Sequence, residues 1–318
     1  MTGPTPALDL DLAGDPDDPP PPERRYLVIR NVSAGWKGGI STNSCSYDEL
    51  CGLLQRRGLT AEVVETADED AARAAVRAAV AGDVDVVVAA GGDGTVGLVA
   101  GELLDTGTAL GVLPLGSVMN IARMLGLPRD LEGAADILAA GPIATVDVGV
   151  ADDRVFYEAG SVGMNAAIFR EAARFDDGDW LSIVRTIWVA LRYRPARMRL
   201  RLDDREIRTR ALMVTVSNGP YTGAGMTVAP DARLDDGKFD IRVFRGFSKF
   251  ELIRHLGSIA FGRRRYTPHV STYRSRRVGV TSAHPLPARA DAHDLGTTPV
   301  TFETRPSALR VVVPPGHS

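Results

Sequence analysis

The chain has 318 residues, of which 44% are hydrophobic and 24% charged, and its formal net charge is −3. These values are typical of a globular protein with room for two domains. Two cysteines are too few for a disulfide framework, which favours a reducing compartment. No stretch approaches the roughly 20 apolar residues that cross a bilayer, and the N-terminus lacks a secretory signal. We therefore expect a cytoplasmic protein, either free or peripheral on the inner face of the membrane.

The charge is unevenly distributed along the chain. Residues 1–23 contain six acidic side chains, no basic one and several prolines. Residues 1–24 are therefore predicted to form a disordered, acidic, Pro-rich tail. Without those six acids the rest of the chain is only slightly basic, which argues against a nucleic-acid partner.

The first half of the remaining chain alternates strands and helices. Hydrophobic patterning predicts strands at 26–29, 61–65, 85–90 and 109–113. Helices are predicted at 46–57, 68–81, 95–104, 120–125 and 131–140, where several begin at a capping residue or end at a glycine. Such alternation is typical of a parallel sheet covered by helices on both faces.

The pattern changes near residue 145, where short strands begin to dominate. A hairpin is predicted at 146–157, strands at 197–202, 207–217, 238–244, 278–281, 300–303 and 309–313, and helices at 165–174, 180–193 and 248–261. The expected fold class is α/β. A Rossmann-like parallel-sheet domain at 25–147 precedes a mainly antiparallel β-sandwich domain at 148–318, whose last strand is free to return to the first domain. The cleft between the domains is the expected ligand site.

The stretch from Val86 to Thr95 carries the clearest functional signal. An apolar run stops at Gly91, Gly92 and Gly94, with Asp93 among them, and a helix follows. Glycines allow an anion to approach the backbone closely, and the free N–H groups of a helix N-terminus favour phosphate. The sequence therefore predicts a phosphorylated ligand, in particular a nucleotide.

Three other interpretations of this turn are weaker. The run from Gly92 to Gly97 satisfies G-x-G-x-x-G, but a dehydrogenase needs an acid at the end of the next strand, where Pro114 to Ser117 stand. A P-loop kinase needs a lysine after the glycines, and none is present. A glycine turn without a ligand does not account for Asp93, because an acid among phosphate-binding glycines implies a metal or a proton-accepting role.

Further segments follow in a fixed order: Leu113 to Ser117, Ala122 to Pro128, Gly160 to Asn165, Ser217 to Gly219, Gly223 to Gly237 and Pro299 to Pro314. Together with Gly91 to Thr95, they resemble the diacylglycerol kinase catalytic-domain family. That family includes bacterial lipid kinases and sphingosine kinases and is related to NAD kinases. The resemblance covers everything except the acidic tail.

The resemblance implies an ATP site in the cleft. Its nucleotide-side positions fall on Asn31, Ser33, Gly35, Thr66, Gly91, Gly92, Asp93, Gly94, Thr95, Ser117 and Asn120. From the residues alone, Ser33 and Ser117 are more simply turn formers.

The resemblance also implies a structural Mg²⁺ site. Asp236 would supply a carboxylate, and Arg233 and Lys238 would supply backbone oxygens, as a hard cation prefers. The simpler alternative is an Asp-Gly turn between two strands.

Three departures from the family bear on catalysis, and the first is Gly97-Leu98 where the family carries Asn-Glu after the glycines. The usual Asn-Asp is Met119-Asn120 here, and the usual Asp-Gly-Glu is Asp291-Ala292-His293. The resemblance implies in-line transfer of the γ-phosphoryl of ATP, with Mg²⁺, to a hydroxyl of a lipid substrate such as diacylglycerol or a sphingoid base. In this mechanism Asp93 orients the nucleotide or metal, and Asp291 or His293 takes the proton. A non-catalytic nucleotide- or lipid-binding protein and a kinase for a soluble metabolite stay open.

Basic residues suit a membrane surface. Residues 180–210 contain nine arginines against three acids, beside an apolar stripe at 180–191, and arginine clusters lie at 263–265 and 274–277. The alternative is a core helix with solvated arginines nearby. A homodimer is compatible with the sequence, which does not identify the lipid.

Overall fold

The computed structural model describes residues 24–32, 36–37, 40–41, 45–176, 185–186, 188–189, 192–223, 225–245 and 270–315. The predicted acidic tail up to residue 23 and the predicted helix at 248–261 lie outside the described residues, as does most of 180–193.

The first half of the chain forms a parallel sheet with helices between its strands. Its elements are β1 (Tyr26–Asn31), β2 (Trp36–Lys37), β3 (Ile40–Ser41), α1 (Tyr47–Arg56), β4 (Ala61–Thr66), α2 (Glu69–Ala81), β5 (Val86–Gly91), α3 (Asp93–Leu103), β6 (Ala109–Pro114), α4 (Asn120–Met124) and α5 (Leu131–Ala140). β1 lies between β4 and β5, and β5 pairs with β6, all in parallel.

Local sequence explains where these elements begin and end. β5 and β6 are buried along their whole length, as expected for central strands covered on both faces. Ser46 forms a capping box with Glu49 at the start of α1, and Asp68 caps α2. One boundary differs from expectation, because α3 begins at Asp93 rather than at residue 95.

The second half forms most of a β-sandwich. Its elements are β7 (Ile143–Ala151), β8 (Arg154–Phe156), β9 (Ala159–Gly163), α6 (Met164–Asp176), β10 (Ala196–Leu202), β11 (Arg205–Ala211), β12 (Met213–Ser217), β13 (Tyr221–Thr222), β14 (Met226–Thr227), β15 (Phe239–Phe244), β16 (Val270–Ser275), β17 (Arg277–Ser282), β18 (Pro287–Ala290), β19 (His293–Thr297) and β20 (Val300–Val312).

Two sheets enclose the core of this half. One has the antiparallel order β16-β15-β12-β9-β18-β19, and the other contains β11-β10-β17-β20. Phe156 stacks on Phe239 and meets Phe302 edge-on in the apolar layer between them. The predicted fold class, a parallel-sheet α/β domain followed by an antiparallel β-sandwich, is confirmed.

The strand predicted at 207–217 is in fact two strands in different sheets. In β11 the residues Arg208 and Arg210 are exposed, whereas every residue of β12 is buried. Exposed and less exposed residues alternate along β11, as in a strand with one face in solvent, whereas β12 is covered on both faces. The two strands therefore need different neighbours, and the chain changes sheet at Leu212.

β20 joins the two halves. It replaces the two strands predicted at 300–303 and 309–313, with an irregularity between Arg305 and Leu309. It pairs antiparallel with β7 and β17, and Val311 lies beside Leu110 of β6 in parallel register. One ten-stranded sheet therefore runs from the sandwich into the parallel sheet. Of the helices the structure describes, none has the length and apolar character to span a membrane.

Candidate functional site

The carboxyl ends of the parallel strands meet at one edge of the sheet. Asn31 at the end of β1 lies beside Thr66 of β4, and Gly91 at the end of β5 lies beside Pro114 of β6. In open α/β sheets ligands bind at this edge. The structure thus brings together the described members of the predicted nucleotide set, while Ser33 and Gly35 lie outside the described residues.

The turn after β5 is built so that only glycine fits at its first position. A Cβ on Gly91 would collide with the side chain of Thr95. Thr95 is held there, because its Oγ1 accepts a hydrogen bond from Asn31 Nδ2 at 3.1 Å. Gly92 is the N-cap of α3 and has no side chain to cap the helix, and a Cβ on the exposed Gly94 would meet no atom within 4 Å. The main chain at the start of α3 is therefore open to an anion.

A second glycine loop lies directly against the first. Leu115 N–H donates to the Gly91 carbonyl at 3.0 Å, and a Cβ on Gly116 would lie 2.8 Å from the Cα of Gly92. Ser117 follows on this loop and is exposed, and its carbonyl accepts from Arg129 at 2.7 Å. The two loops form one continuous surface of main chain.

Asp93 has a structural partner as well as a predicted catalytic role. The N-cap of α4 is Met119, which has a left-handed φ of 55° and no oxygen that could cap the helix. Asp93 supplies the missing acceptor, since its Oδ1 accepts from Ile121 N–H at 3.0 Å. The carboxylate thereby ties α3 to α4, and its predicted role toward nucleotide or metal stays a prediction.

The fully buried Asn120, one residue further on, connects α4 to the second half of the chain. Its Nδ2 donates to the Gly223 carbonyl at 2.7 Å, and its side chain lowers the pKa of the neighbouring Glu158 carboxyl. Glu158 in turn accepts from the Gly223 N–H at 3.0 Å. Asn120 and Glu158 therefore bind the carbonyl and the N–H of Gly223, respectively. These two contacts position Gly223 in the turn between β13 and β14.

Glu158 is the site residue that sequence reasoning missed. Burial raises the pKa of its carboxyl to about 8, and the negative charges of Asp291 and Asp93 act in the same direction. Only 8% of its surface is exposed. The sequence does contain a signal for this residue, since Glu158 is a lone acid in the run Phe156-Tyr157-Glu158-Ala159-Gly160. An ionisable side chain among apolar neighbours needs a specific partner.

Asp291 lies next to Glu158, in the turn between β18 and β19, with a φ of 45°. Its carboxyl accepts three main-chain N–H groups, from Tyr157 at 2.7 Å and from Glu158 and Ala159 at 3.0 Å each. Burial raises the pKa of this carboxyl, and the three hydrogen bonds oppose that effect. His293 is exposed on β19, so of the two predicted proton acceptors it is Asp291 that the fold encloses.

The metal site that the resemblance implied stays a prediction. Asp236 Oδ1 accepts from Lys238 N–H at 3.0 Å, and the same carboxylate forms an ion pair with Arg274. Arg233 pairs with Asp235 at 2.7 Å. Within the described part of the chain no three metal-binding side chains cluster, so a cation here would depend on backbone oxygens beside the Asp236 carboxylate, as the resemblance implied. The observed cation beside Asp236 is a guanidinium.

Comparison with known proteins agrees with this geometry. The family model for the diacylglycerol kinase catalytic domain matches residues 25–151, and the model for the YegS C-terminal NAD kinase beta sandwich-like domain matches residues 160–313. A probable lipid kinase YegS-like protein of Chromohalobacter salexigens is 31% identical over 240 residues, which cover 73% of this chain and 77% of that protein. The chain belongs to the diacylglycerol kinase catalytic-domain family. The resemblance found in the sequence is confirmed.

Other relatives of this family member have similar descriptions. A probable lipid kinase YegS-like protein of Klebsiella pneumoniae is 28% identical over 283 residues, covering 87% of this chain and 94% of that protein. Probable lipid kinase YegS of Escherichia coli O9:H4 is 28% identical over 286 residues, with the same coverage. A crystal structure of a diacylglycerol kinase from Bacillus anthracis superimposes with a TM-score of 0.70, at 18% identity over 93% of this chain and 98% of that one. At that identity the superposition supports the fold.

Proposed function

We propose that this protein is an ATP-dependent lipid kinase that transfers the γ-phosphoryl group of ATP to a hydroxyl of a lipid. The observation that carries the proposal is the position of two open glycine loops beside a cluster of carboxyl groups. The loops are those at Gly92 and Gly116, and the carboxyl groups belong to Asp93, Glu158 and Asp291. Phosphoryl transfer depends mainly on positioning and charge neutralisation, which such a site supplies.

On the nucleotide side, the backbone does most of the binding. The main-chain N–H groups at the start of α3 bind the phosphates, and the positive end of the helix dipole strengthens that contact. Asn31 and Thr95, joined by their hydrogen bond, fix the neighbouring strand end. Mg²⁺ bound with ATP would supply the positive charge that neutralises the phosphates. Asp93 orients the nucleotide with its ion, from a position fixed by its bond to α4.

On the lipid side, the outer face of the β10–β11 hairpin supports a membrane-bound substrate. Arg197 lies directly opposite Arg210, and Arg199 lies opposite Arg208. Like charges in facing positions destabilise a sheet, and on this face Glu206 alone is acidic, 2.8 Å from Arg208. A surface on which arginines face each other in this way has a concentrated positive charge, which is suited to binding anionic headgroups.

An exposed aromatic side chain precedes this hairpin. Trp188 is 54% exposed, and the Arg192 guanidinium lies 4.6 Å from the centre of its ring. Tryptophan beside arginine is typical of residues that sit at the headgroup level of a bilayer. We propose that Trp188 and the four arginines that face each other in the hairpin, Arg197, Arg199, Arg208 and Arg210, form the membrane-facing surface. From the sequence, the expected surface combines the apolar stripe at 180–191 with the arginines of residues 180–210 and the clusters at 263–265 and 274–277.

A phosphate-transfer assay tests the proposed function. Purified protein is incubated with Mg²⁺, ATP labelled at the γ-phosphate and a panel of lipids in mixed micelles, and products are identified by mass spectrometry. We expect one labelled lipid class, absent with an Asp93→Asn variant. Tight ATP binding with no labelled product would instead indicate a non-catalytic binding protein. Label confined to a water-soluble acceptor would indicate a metabolite kinase.

A further inference from the structure

We propose that Glu158 is the proton acceptor for the lipid hydroxyl and that it replaces the acid which this chain lacks at position 120. The inference rests on the proposed kinase function and assigns the step that the sequence had given to Asp291 or His293. The family resemblance places an aspartate at position 120, and here that residue is Asn120. Its amide donates to the Gly223 carbonyl, and the Gly223 N–H donates to the Glu158 carboxyl, so an acid lies next to position 120 in space.

The contacts around Glu158 hold it at the junction of the two halves. The carboxyl accepts from Gly223 N–H at 3.0 Å, and Asn120 holds the Gly223 carbonyl at 2.7 Å. The side chain is therefore fixed by α4 on one side and by the β13–β14 turn on the other. Asp93, which follows the first glycine loop, is close enough to act on its charge. The carboxyl thus lies beside the proposed phosphate site.

Asp291 differs from Glu158 in its hydrogen bonds, although burial raises the pKa of both carboxyls. Three main-chain N–H groups stabilise its ionised form and reduce its tendency to take a proton. Glu158 accepts one main-chain N–H, and burial raises its pKa to about 8. A general base works best when its pKa is near the working pH.

The charged groups around Glu158 are few. Asp93 of α3 and Asp291 after β18 face it with negative charge, and the Arg289 guanidinium of β18 faces it with positive charge. α4 and the β13–β14 turn contribute the neutral Asn120 and Gly223. Arg289 is itself held over Phe169 and bonded to the Asp291 carbonyl at 2.9 Å, which fixes its position relative to the two acids.

The proposed step is balanced. The hydroxyl oxygen of the lipid forms a bond to the γ-phosphorus of ATP, and the bond from that phosphorus to the β–γ bridging oxygen breaks with its electron pair leaving on ADP. The hydroxyl proton passes to the Glu158 carboxylate and is then released to solvent. No oxidant, reductant or further reactant takes part.

Moving the carboxyl between the two positions tests this assignment. We expect Glu158→Gln to lower kcat roughly 10²- to 10⁴-fold, the range for loss of a general base. Affinity for ATP and the melting temperature should stay unchanged, because glutamine still accepts from Gly223 N–H. We expect the double variant Asn120→Asp/Glu158→Gln to recover at least about tenfold of the loss, since the acid returns to its family position. Glu132→Gln, which removes an exposed acid on α5, serves as a matched control.

The pH profile separates a chemical role from a structural one. A base must be deprotonated to act, so kcat/KM measured with ATP as the varied substrate should rise with pH through about 8 and level off above that pH in the native protein. This rise of kcat/KM with pH should be absent in the Glu158→Gln variant and present in the Glu132→Gln variant.

Each outcome decides between the two proposals. A native protein that transfers no phosphate to lipid overturns the proposed function, and the Glu158 assignment with it. If the native protein is active and the Glu158→Gln variant keeps both its kcat and the rise of kcat/KM with pH, only the Glu158 assignment is overturned. A variant that loses ATP binding or stability, and is not rescued by Asn120→Asp, shows instead that Glu158 only clamps the β13–β14 turn.

Discussion

The two sides of the cleft are made in different ways. On the nucleotide side, Gly91 to Thr95 form one short segment whose strand, turn and helix start are encoded locally. On the acceptor side, Asn120, Glu158, Gly223 and Asp291 come from four separate segments and meet only through the fold. The proposed nucleotide side keeps the family's glycines and Asp93, whereas the proposed acceptor side has Asn120 where the resemblance places an acid. Under the proposed function, phosphate recognition is retained while the groups that handle the acceptor change.

Substitution of Asp93 should give the largest effect. We expect both Asp93→Asn and Asp93→Ala to lower kcat by at least about 10³-fold, because each removes the charge beside the phosphates. Only Asp93→Ala removes the acceptor for Ile121 N–H, which is worth about 1 kcal/mol of stability as a helix cap. Kinetics with thermal melting of both variants checks this. Near-normal turnover in Asp93→Asn would leave Asp93 with the capping role alone.

Gly94→Ala tests the nucleotide side without disturbing the fold. A Cβ at Gly94 meets no atom within 4 Å and lies inside α3, so stability should be unchanged or rise by up to about 1 kcal/mol. The methyl group would, however, stand where phosphate approaches the backbone. We expect ATP affinity to fall roughly tenfold or more, about 1.4 kcal/mol, by calorimetry.

The exposed Gly107→Ala provides the control for this experiment, because a Cβ there also meets no atom within 4 Å. Equal ATP affinity in the Gly94→Ala variant and the native protein would mean that this turn does not bind the nucleotide.

Neutralising the hairpin extends the comparison to the lipid surface. Each basic residue near an anionic membrane contributes about 1 kcal/mol. Arg197→Gln/Arg210→Gln should therefore weaken sedimentation with phosphatidylglycerol-containing vesicles roughly 30-fold at low salt. Binding to pure phosphatidylcholine vesicles should be weak in all forms.

The matched control for the hairpin is Arg25→Gln/Arg56→Gln, which removes the same charge from two exposed positions of the parallel-sheet domain. A similar loss in both pairs would point to net charge rather than to this surface. Binding to single-stranded nucleic acid in preference to vesicles would contradict a membrane partner.

The smallest expected effect concerns Mg²⁺ near Asp236. Because Arg274 already neutralises that carboxylate, we expect the melting temperature of the native protein to be the same in millimolar MgCl₂ and in EDTA. Arg274→Gln should acquire a small Mg²⁺-dependent rise. A rise in the native protein that Asp236→Asn abolishes would support the metal site implied by the family resemblance.

Local sequence predicted much of the fold because its signals act over a few residues. Ser46 with Glu49, and Asp68, set the starts of α1 and α2, and the apolar runs of β5 and β6 identify buried strands. The prediction failed where the chain changes sheet at Leu212, because propensity favours a strand on both sides of that point. The choice between sheets depends on which surface each strand buries.

The sequence by itself determined the family, the α/β and β-sandwich architecture and the glycine loops, because each depends on short runs of contiguous residues. Only the tertiary structure decided what the polar residues contact. In the structure, Asp93 accepts a hydrogen bond from Ile121 N–H, and Asp236 forms an ion pair with Arg274. Glu158 accepts from Gly223 N–H and lies beside Asn120. The pKa of a carboxyl depends on burial and on charges a few ångströms away. Those neighbours lie far along the chain, so no local pattern specifies them.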